Sequence, residues 1–403
     1  MHTTPSRIGG LVAVSLICAL SGSAHAYEVS DQLRVNGYAQ MWWTMYEQME
    51  EARELYQRPS GDEAATVTSG FSLYRARIGA RSRWLDEFLE LGIQLRLERN
   101  PAILDCYAAF RVADWLRIVA GQFKVPSSWE TLESSRKLDF ILRSRLSEYM
   151  VDYSLARTTY ASSLFYGTYS YLRDFGVGLK GDVDVWVGTL RYFLMLGNGL
   201  GTGLYISGGI RKEYIITNEG QYFSGLRVEL ADHGGIVTLG GHLDYNRHDN
   251  IVFNSGRTVY DLDRLSYSGD LRVEIPGTGV RLAGLVGRGK IDDDYDNNGR
   301  VDVLYDGWEA RLVWRLNPLL RLLQDVPWLD EHLFELGARF DRFAEEWNQT
   351  GSIVTWETWT FGVTWLLGDM LKLQLNVMLR DTDDPSLPDL DDDIVLLQLQ
   401  GTV

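Results

Sequence analysis

Residues 87–98 read EFLELGIQLRLE, and from Leu89 to Leu97 every second residue is leucine or isoleucine. The positions between them carry glutamate, glycine, glutamine or arginine. A strict period of two places apolar side chains on one face of a β-strand and polar side chains on the other, whereas a helix has a period near 3.6. This stretch therefore predicts a strand with one apolar face and one aqueous face.

The same alternation recurs along the chain. Residues 31–46 repeat it, and similar segments follow near 70–84, 103–112, 115–124, 174–182, 185–196, 221–231, 235–246, 264–275, 279–290, 305–316, 332–343, 355–367, 370–380 and 393–401, with 151–170 and 204–217 ambiguous. A strand that crosses a bilayer at a tilt needs about 9–11 residues. Single-chain bacterial barrels close with an even number of strands. We therefore predict an all-β, antiparallel up-and-down transmembrane barrel of about 16 strands, with 18 as the alternative.

The connections between these segments alternate in length. Some are tight, as at Leu85–Asp86 and Pro276–Gly277, and others, such as 47–69 and 125–150, are long and polar. Short turns at one rim and long loops at the other are typical of outer-membrane barrels. We find no composition break within 27–403, so the sequence predicts one barrel domain in this range.

The first 26 residues have the pattern of a secretory signal peptide. Arg7 precedes an apolar run over 8–20, and Ala24-His25-Ala26 has the spacing of a cleavage site. A mature chain beginning at Tyr27 would keep only Cys106, which leaves no intramolecular disulfide and no cysteine-based zinc cluster. The formal charge of −16 argues against nucleic-acid binding. We expect an exported protein in the outer membrane of a Gram-negative-type bacterium, in contact with its lipid and with no cofactor.

Four arginines share one face of the segment 70–84. Arg75, Arg77, Arg81 and Arg83 have one parity. The opposite face is predicted to carry Tyr74, Ala76, Ile78, Ala80 and Trp84. An arginine facing lipid near the bilayer midplane costs roughly 2–4 kcal/mol, so these side chains are expected in the lumen, with Arg96 one strand later. Charge on a pore wall selects ions, so this stripe predicts anion guidance. The alternative is that the arginines only pair with Glu90, Glu98 and Asp105.

Several segments resemble the phosphate-selective porin O and P family. The most specific are GQFKVP at 121–126 and SSRKLDF at 134–140, accompanied by LYRARIG at 73–79, RDFGV at 173–177, GARFD at 337–341 and WTFGVTW at 359–365. The resemblance implies a trimeric outer-membrane channel for small anionic or polar solutes such as phosphate. It also implies that a long loop folds into the barrel and narrows it.

The region 125–172 is the candidate for this loop, and it is expected to fold partly into the lumen. Leu138, Phe140, Ile141 and Leu146 need a surface to pack on, which favours an inward fold over a solvated external loop. Guanidinium and ammonium groups carried inward would donate charge-assisted hydrogen bonds to oxyanions. The candidate anion-guiding residues are Arg75, Arg77, Arg81, Arg83, Arg96, Lys124, Arg136, Lys137, Arg143 and Arg145.

One acidic stretch has carboxylate spacing that suits calcium. Asp292, Asp294, Asp296 and Asn298 alternate before Gly299, but Val303 stands where a calcium loop needs its bidentate glutamate. A polar external loop is the favoured interpretation, and no metal site is expected.

Three other functions compete with a passive anion-preferring pore. The acidic total leaves a general or cation-preferring pore open. An outer-membrane enzyme is disfavoured because the chain has no G-x-S-x-G elbow and its histidines are scattered. A soluble exported β-protein could also show alternation. The barrel pore without catalytic activity is the leading hypothesis.

Overall fold

The computed structural model describes residues 27–30, 32–46, 70–98, 101–151, 172–199, 222–252, 258–293, 303–319, 332–347, 351–383 and 393–403. Its strands are β1 (Tyr27–Ser30), β2 (Leu33–Tyr46), β3 (Gly70–Trp84), β4 (Leu89–Arg96), β5 (Ala102–Ala113), β6 (Leu116–Lys124), β7 (Arg173–Val185), β8 (Gly188–Gly197), β9 (Tyr222–Asp232), β10 (Val237–Val252), β11 (Thr258–Ile275), β12 (Val280–Asp293), β13 (Val303–Arg315), β14 (His332–Trp347), β15 (Ser352–Leu367), β16 (Leu371–Asp383) and β17 (Ile394–Thr402). Two short helices, α1 (Trp129–Leu132) and α2 (Arg145–Tyr149), lie between β6 and β7.

Strands β2 to β17 form a closed antiparallel ring. Each pairs with its neighbours in the chain, and β17 pairs back with β2 in a register that sets Gln400 opposite Gln40. The predicted barrel of 16 strands is confirmed, because β1 lies outside the ring and pairs with the start of β2. The ambiguous segment 204–217, nearly all of 151–170 and the proposed signal peptide at 1–26 lie outside the described residues.

Alternation within each strand separates the inner side from the lipid side. In β13, Trp308 and Leu312 are 41% and 43% exposed, while Glu309 and Arg311 are 2% and 4% exposed. A β-strand turns successive side chains to opposite faces, so the apolar set meets lipid and the charged set meets the interior. Among the described residues, no helix is both long and apolar enough to cross a membrane.

A β-bulge in β3 changes one orientation that strict alternation predicts. Gln40 of β2 pairs with Arg75 of β3, but the next residue, Met41, pairs with Leu73. The register between the two strands therefore shifts by one residue at this point. Tyr74 is the extra residue, and its ring stacks on Trp42 with centroids 3.3 Å apart. The expectation that Tyr74 lies opposite the arginines is therefore wrong, since an extra residue re-aims its side chain.

Candidate functional site

The first part of the connection between β6 and β7, residues 125–151, lies against inward-facing side chains of the barrel wall. Gln40 of β2 donates to Ser135 O at 3.2 Å, and Lys372 of β16 donates to Leu138 O at 2.6 Å. Arg339 of β14 donates to Leu142 O at 2.8 Å. These bonds satisfy loop carbonyls that would otherwise be buried without a donor, so the wall fixes the loop's path. We call residues 125–151 the inner loop.

Apolar side chains of the inner loop are buried against the same wall. Ile141 packs with Trp42, Met378 and Leu396, which belong to β2, β16 and β17. Leu138, Phe140 and Leu146 are also buried. Removing this apolar surface from water adds a favourable term to the polar anchoring.

Glu130 of α1 connects the inner loop to the barrel wall, and it also connects two parts of the inner loop to each other. It lies 2.5 Å from Arg311 of β13 and 3.7 Å from Arg339 of β14. Its second oxygen accepts hydrogen bonds from the Ser144 backbone N–H at 3.0 Å and hydroxyl at 2.9 Å. Burial alone would raise the pKa of Glu130, but the charges of Arg311 and Arg339 outweigh it and hold the pKa at about 2. The carboxylate is therefore charged at any physiological pH.

The polar bonds that anchor the inner loop come from a particular set of strands. Hydrogen bonds and ion pairs tie the inner loop to β2, β6, β9, β12, β13, β14, β16 and β17. Strands β3 to β5 supply none of these anchoring bonds, and we call them the open wall.

Three predicted arginines lie on the open wall, and none of them has a carboxylate partner among the described residues. Arg75 donates to Gln40 at 3.3 Å and lies over the Tyr74 ring, and Arg77 lies 5.9 Å from the centroid of the Tyr38 ring. Within the described part of the chain, no carboxylate lies within ion-pair distance of Arg75, Arg77 or Arg81. The expected alternative partners are occupied elsewhere, since Asp105 pairs with Arg173 at 2.7 Å and Glu98 accepts from Ala76 N.

The other predicted strand cations have different surroundings. Arg83 pairs with Glu87 at 3.0 Å and with Glu90 at 3.5 Å near the short turn, so it matches the pairing alternative. Arg96 lies directly opposite Arg77 in the register of β3 and β4. Lys124 donates to the carbonyls of Thr131, Leu132 and Glu133 at 2.8–2.9 Å, where it supports the end of α1.

The basic residues of the inner loop divide into two groups. Arg143 donates to Glu130 O and Glu133 O, and Arg145 lies 3.8 Å from the centroid of the Trp356 ring. Burial lowers the pKa of Arg143, and the nearby charge of Arg75 lowers it further. This coupling places a loop guanidinium close to the open wall.

Arg136 and Lys137 border a cavity of about 760 Å³ at the short-turn end of the barrel. Arg34, Arg281, Arg315 and Lys372 also border it, together with the carboxylates of Asp139, Glu335 and Asp369. Six cationic and three acidic side chains give this end of the passage a positive excess among its lining residues. The inner loop thus carries basic groups toward the short-turn rim as well as toward β3.

The inward charges of the later strands are not among the residues predicted from the sequence. Arg311, Arg339, Glu309 and Asp341 are all buried, and they hold the inner loop rather than line open space. The same parity rule that singled out β3 could have found them, because they too alternate with apolar residues. Their partners on the inner loop could not be found from spacing, since Glu130 and Arg311 are 181 residues apart in sequence.

No group of three or more potential metal ligands occurs among the residues that the structure describes. Asp292 lies near the end of β12, while Asp294, Asp296 and Asn298 lie outside the described ranges. His242 lies 2.5 Å from the Ser268 hydroxyl and 3.2 Å from the Asp244 carboxylate.

The phosphate-selective porin O and P family model matches residues 55–191. This range contains the motifs at 73–79, 121–126, 134–140 and 173–177, so the resemblance found in the sequence is confirmed there. The motifs at 337–341 and 359–365 lie beyond the match. No curated protein sequence matches the chain significantly.

Solved structures with the same fold are outer-membrane proteins. An anion-selective porin from Comamonas acidovorans is 11% identical with a TM-score of 0.60, covering 92% of this chain and 99% of its own. OmpT of Vibrio cholerae, in a trimer form, is 11% identical with a TM-score of 0.56 and the same coverage. The channel DcaP of Acinetobacter baumannii is 8% identical with a TM-score of 0.54, covering 94% and 100%.

At these identities the structures establish the fold, and the family match adds the porin relationship over a third of the chain. Together they indicate a bacterial outer-membrane channel rather than an enzyme. The chain is a closed β-barrel of the outer-membrane porin type that resembles the phosphate-selective porin O and P family over residues 55–191.

Proposed function

We propose that this protein is a passive outer-membrane pore that prefers small anions, with phosphate among its solutes. The observation that carries the proposal is the position of Arg75, Arg77 and Arg81 on the open wall, where no described carboxylate neutralises them. Guanidinium groups stay charged at all physiological pH values and offer forked donors to oxyanions. A low-dielectric wall focuses their field on the passage.

The inner loop sets where that field acts. It is bonded to strands between β9 and β17 and also to β2 and β6, and the proposed solute path runs beside β3. Arg143 lies close enough to Arg75 for the charge of Arg75 to lower the pKa of Arg143. An anion on this route would meet several positive groups in succession. At the short-turn end it would also meet the basic cavity bordered by Arg136 and Lys137. Such a path lowers the electrostatic barrier for anions and raises it for cations.

The cation-preferring pore is the competing function, because the whole chain carries a formal charge of −16. Salt screens charges beyond about 8–10 Å, so distant carboxylates act weakly on a permeating ion, whereas wall arginines act at contact.

Homotrimeric assembly also belongs to the proposal, supported by the porin fold and by the trimer form of the OmpT structure.

Paired charge-removal variants test the proposal. Refolded wild-type protein and the variant Arg75→Gln/Arg77→Gln are reconstituted in planar bilayers, and reversal potentials are measured across a KCl gradient. We expect the variant to shift toward cation preference. The matched control Arg83→Gln/Arg111→Gln removes the same charge from exposed arginines that pair with Glu87 at the short-turn rim, and it should shift much less. Equal shifts in both variants would assign the effect to overall charge and overturn the role of the open wall.

A further inference from the structure

The barrel wall beneath the inner loop has a shallow depression, which is filled by the ring of Phe140. Gly337 of β14 and Gly362 of β15 lie opposite each other in register, and Gly362 lies opposite Asn376 of β16. Phe140 is 1% exposed and its ring covers both glycines. We call Gly337, Gly362 and Asn376 the Phe140 seat.

The fit of the ring is close. A Cβ atom at residue 337 would lie 3.0 Å from Phe140 Cζ and 3.1 Å from Cε1, and one at residue 362 would lie 3.3 Å from Cδ1. Carbon atoms prefer about 3.5–4.0 Å. Glycine is thus the residue that lets the ring reach the sheet at this depth.

The ring cannot move sideways easily. The guanidinium carbons of Arg339 and Arg311 lie 5.1 Å and 5.8 Å from its centroid, and both arginines are buried and bound to carboxylates. Displacement by a new methyl group is therefore directed away from the wall, toward the passage.

The inner loop must follow the ring, because it is bonded on both sides of Phe140. Lys372 donates to Leu138 O at 2.6 Å, and the Ile141 N–H donates to Asn376 Oδ1 at 2.7 Å. A ring raised from its seat by a few tenths of an ångström pulls on both bonds and shifts this part of the loop toward the lumen.

We propose that the Phe140 seat sets the width of the pore: Gly337 and Gly362 are positioning residues that fix how far the inner loop projects toward the open wall. They touch no solute and act through Phe140. The inference extends the proposed function only in assuming that the inner loop borders the conducting path, and it does not depend on the sign of ion selectivity.

The test compares single-channel conductance in symmetric KCl for wild type, Gly337→Ala and the control Gly284→Ala. A Cβ at residue 284 would meet its nearest neighbour, Glu309 O, at 3.5 Å, which is ordinary contact. We expect lower conductance from Gly337→Ala and unchanged conductance from Gly284→Ala. Adding Phe140→Leu to Gly337→Ala should restore conductance, because the smaller side chain removes the contact.

Unchanged conductance in a folded Gly337→Ala barrel would overturn the inference, as would a loss that Phe140→Leu fails to restore. If Gly337→Ala does not fold, Phe140→Trp on the unchanged seat enlarges the ring instead, and it must lower conductance for the inference to stand. Reversal potentials recorded from the same channels separate the two proposals. A cation-selective wild type would end the anion proposal, while the conductance comparison would still decide the role of the seat.

Discussion

The carboxylate of Glu130 lies 2.5 Å from the guanidinium of Arg311, with side chains only 1% and 2% exposed. Arg311 also lies 2.5 Å from Glu309, and Glu130 also receives both donors of Ser144. This pair therefore links the barrel wall, helix α1 and the start of α2. Its geometry makes the position of the inner loop a property of buried electrostatics as well as of apolar packing.

Glu130→Ala should loosen the inner loop. Removing one partner of a buried pair leaves the other charge uncompensated and costs about 3–5 kcal/mol, although Glu309 still contacts Arg311 and favours the lower end. We expect larger and noisier single-channel currents and faster proteolysis within 125–151.

The matched change Glu87→Ala removes a carboxylate from an exposed cluster with Arg83 and Arg111. Exposed pairs contribute about 0–1 kcal/mol, so currents and proteolysis should stay at wild-type levels. A quiet, wild-type current from Glu130→Ala would show that apolar contacts alone hold the loop.

The strands and the arginine stripe could be predicted from sequence because a period of two is a local property. Residues 70–84 were predicted as a strand and β3 spans Gly70–Trp84, since alternation, flanking turns and length all agree there. The orientation of Tyr74 could not be predicted, because the bulge depends on how β2 and β3 pair. Register between strands is a long-range property that one strand's pattern does not contain.

The anchoring of the inner loop was also beyond the sequence. From the sequence we can predict only that the apolar side chain of Phe140 packs against another surface. The glycines that its ring contacts lie on strands about two hundred residues later in the chain. Lys124 has the positive charge expected of an anion-guiding residue, but its ammonium group donates hydrogen bonds to three carbonyls at the end of α1. Residue type gave the charge, and only the fold shows which cations are engaged.

Anion preference should weaken as pH rises through neutrality. Burial and the neighbouring charge of Asp139 raise the pKa of Glu133 to about 7, so this loop carboxyl is neutral at lower pH and charged above. It lies beside Arg143, whose guanidinium donates to its carbonyl at 3.1 Å. A new negative charge here offsets part of the positive field. Reversal potentials measured at pH 6 and pH 8 check this.

Glu133→Gln stays neutral at both pH values and should remove most of the pH step while keeping the selectivity seen at low pH. If the step persists at full size in Glu133→Gln, another group is responsible and the assignment fails.

Lys124→Met should destabilise the inner loop without touching the open wall. The change removes three donated hydrogen bonds and leaves the carbonyls of Thr131 and Leu132 without the Lys124 donor, while the Glu133 carbonyl keeps its bond from Arg143. A buried unsatisfied acceptor costs about 1–3 kcal/mol. The temperature at which heat-modifiable gel migration is lost should fall.

Lys137→Met is the control, because this lysine is exposed at the short-turn cavity. Its unfolding temperature should stay near wild type. Equal unfolding temperatures for the two variants would mean that the Lys124 bonds add nothing to stability.

Phosphate should slow chloride current, and the basic cavity should contribute to that block. Arg136 and Lys137 border the cavity from the inner loop, so Arg136→Gln/Lys137→Gln removes two of its six cationic side chains. We expect a higher phosphate concentration for half-block than in wild type, measured as chloride conductance during phosphate titration. Arg83→Gln/Arg111→Gln again serves as the charge-matched control. An unchanged half-block in the cavity variant would remove this site from the phosphate path.

In the proposed function, the arginines of the open wall make this acidic protein an anion-preferring pore. The most direct measurement is the reversal potential of the purified wild-type channel, reconstituted alone in a planar bilayer under a KCl gradient. We expect a potential whose sign shows that chloride permeates faster than potassium. A potential of the opposite sign would contradict it, because the carboxylates would then govern the path and the arginines of β3 would not.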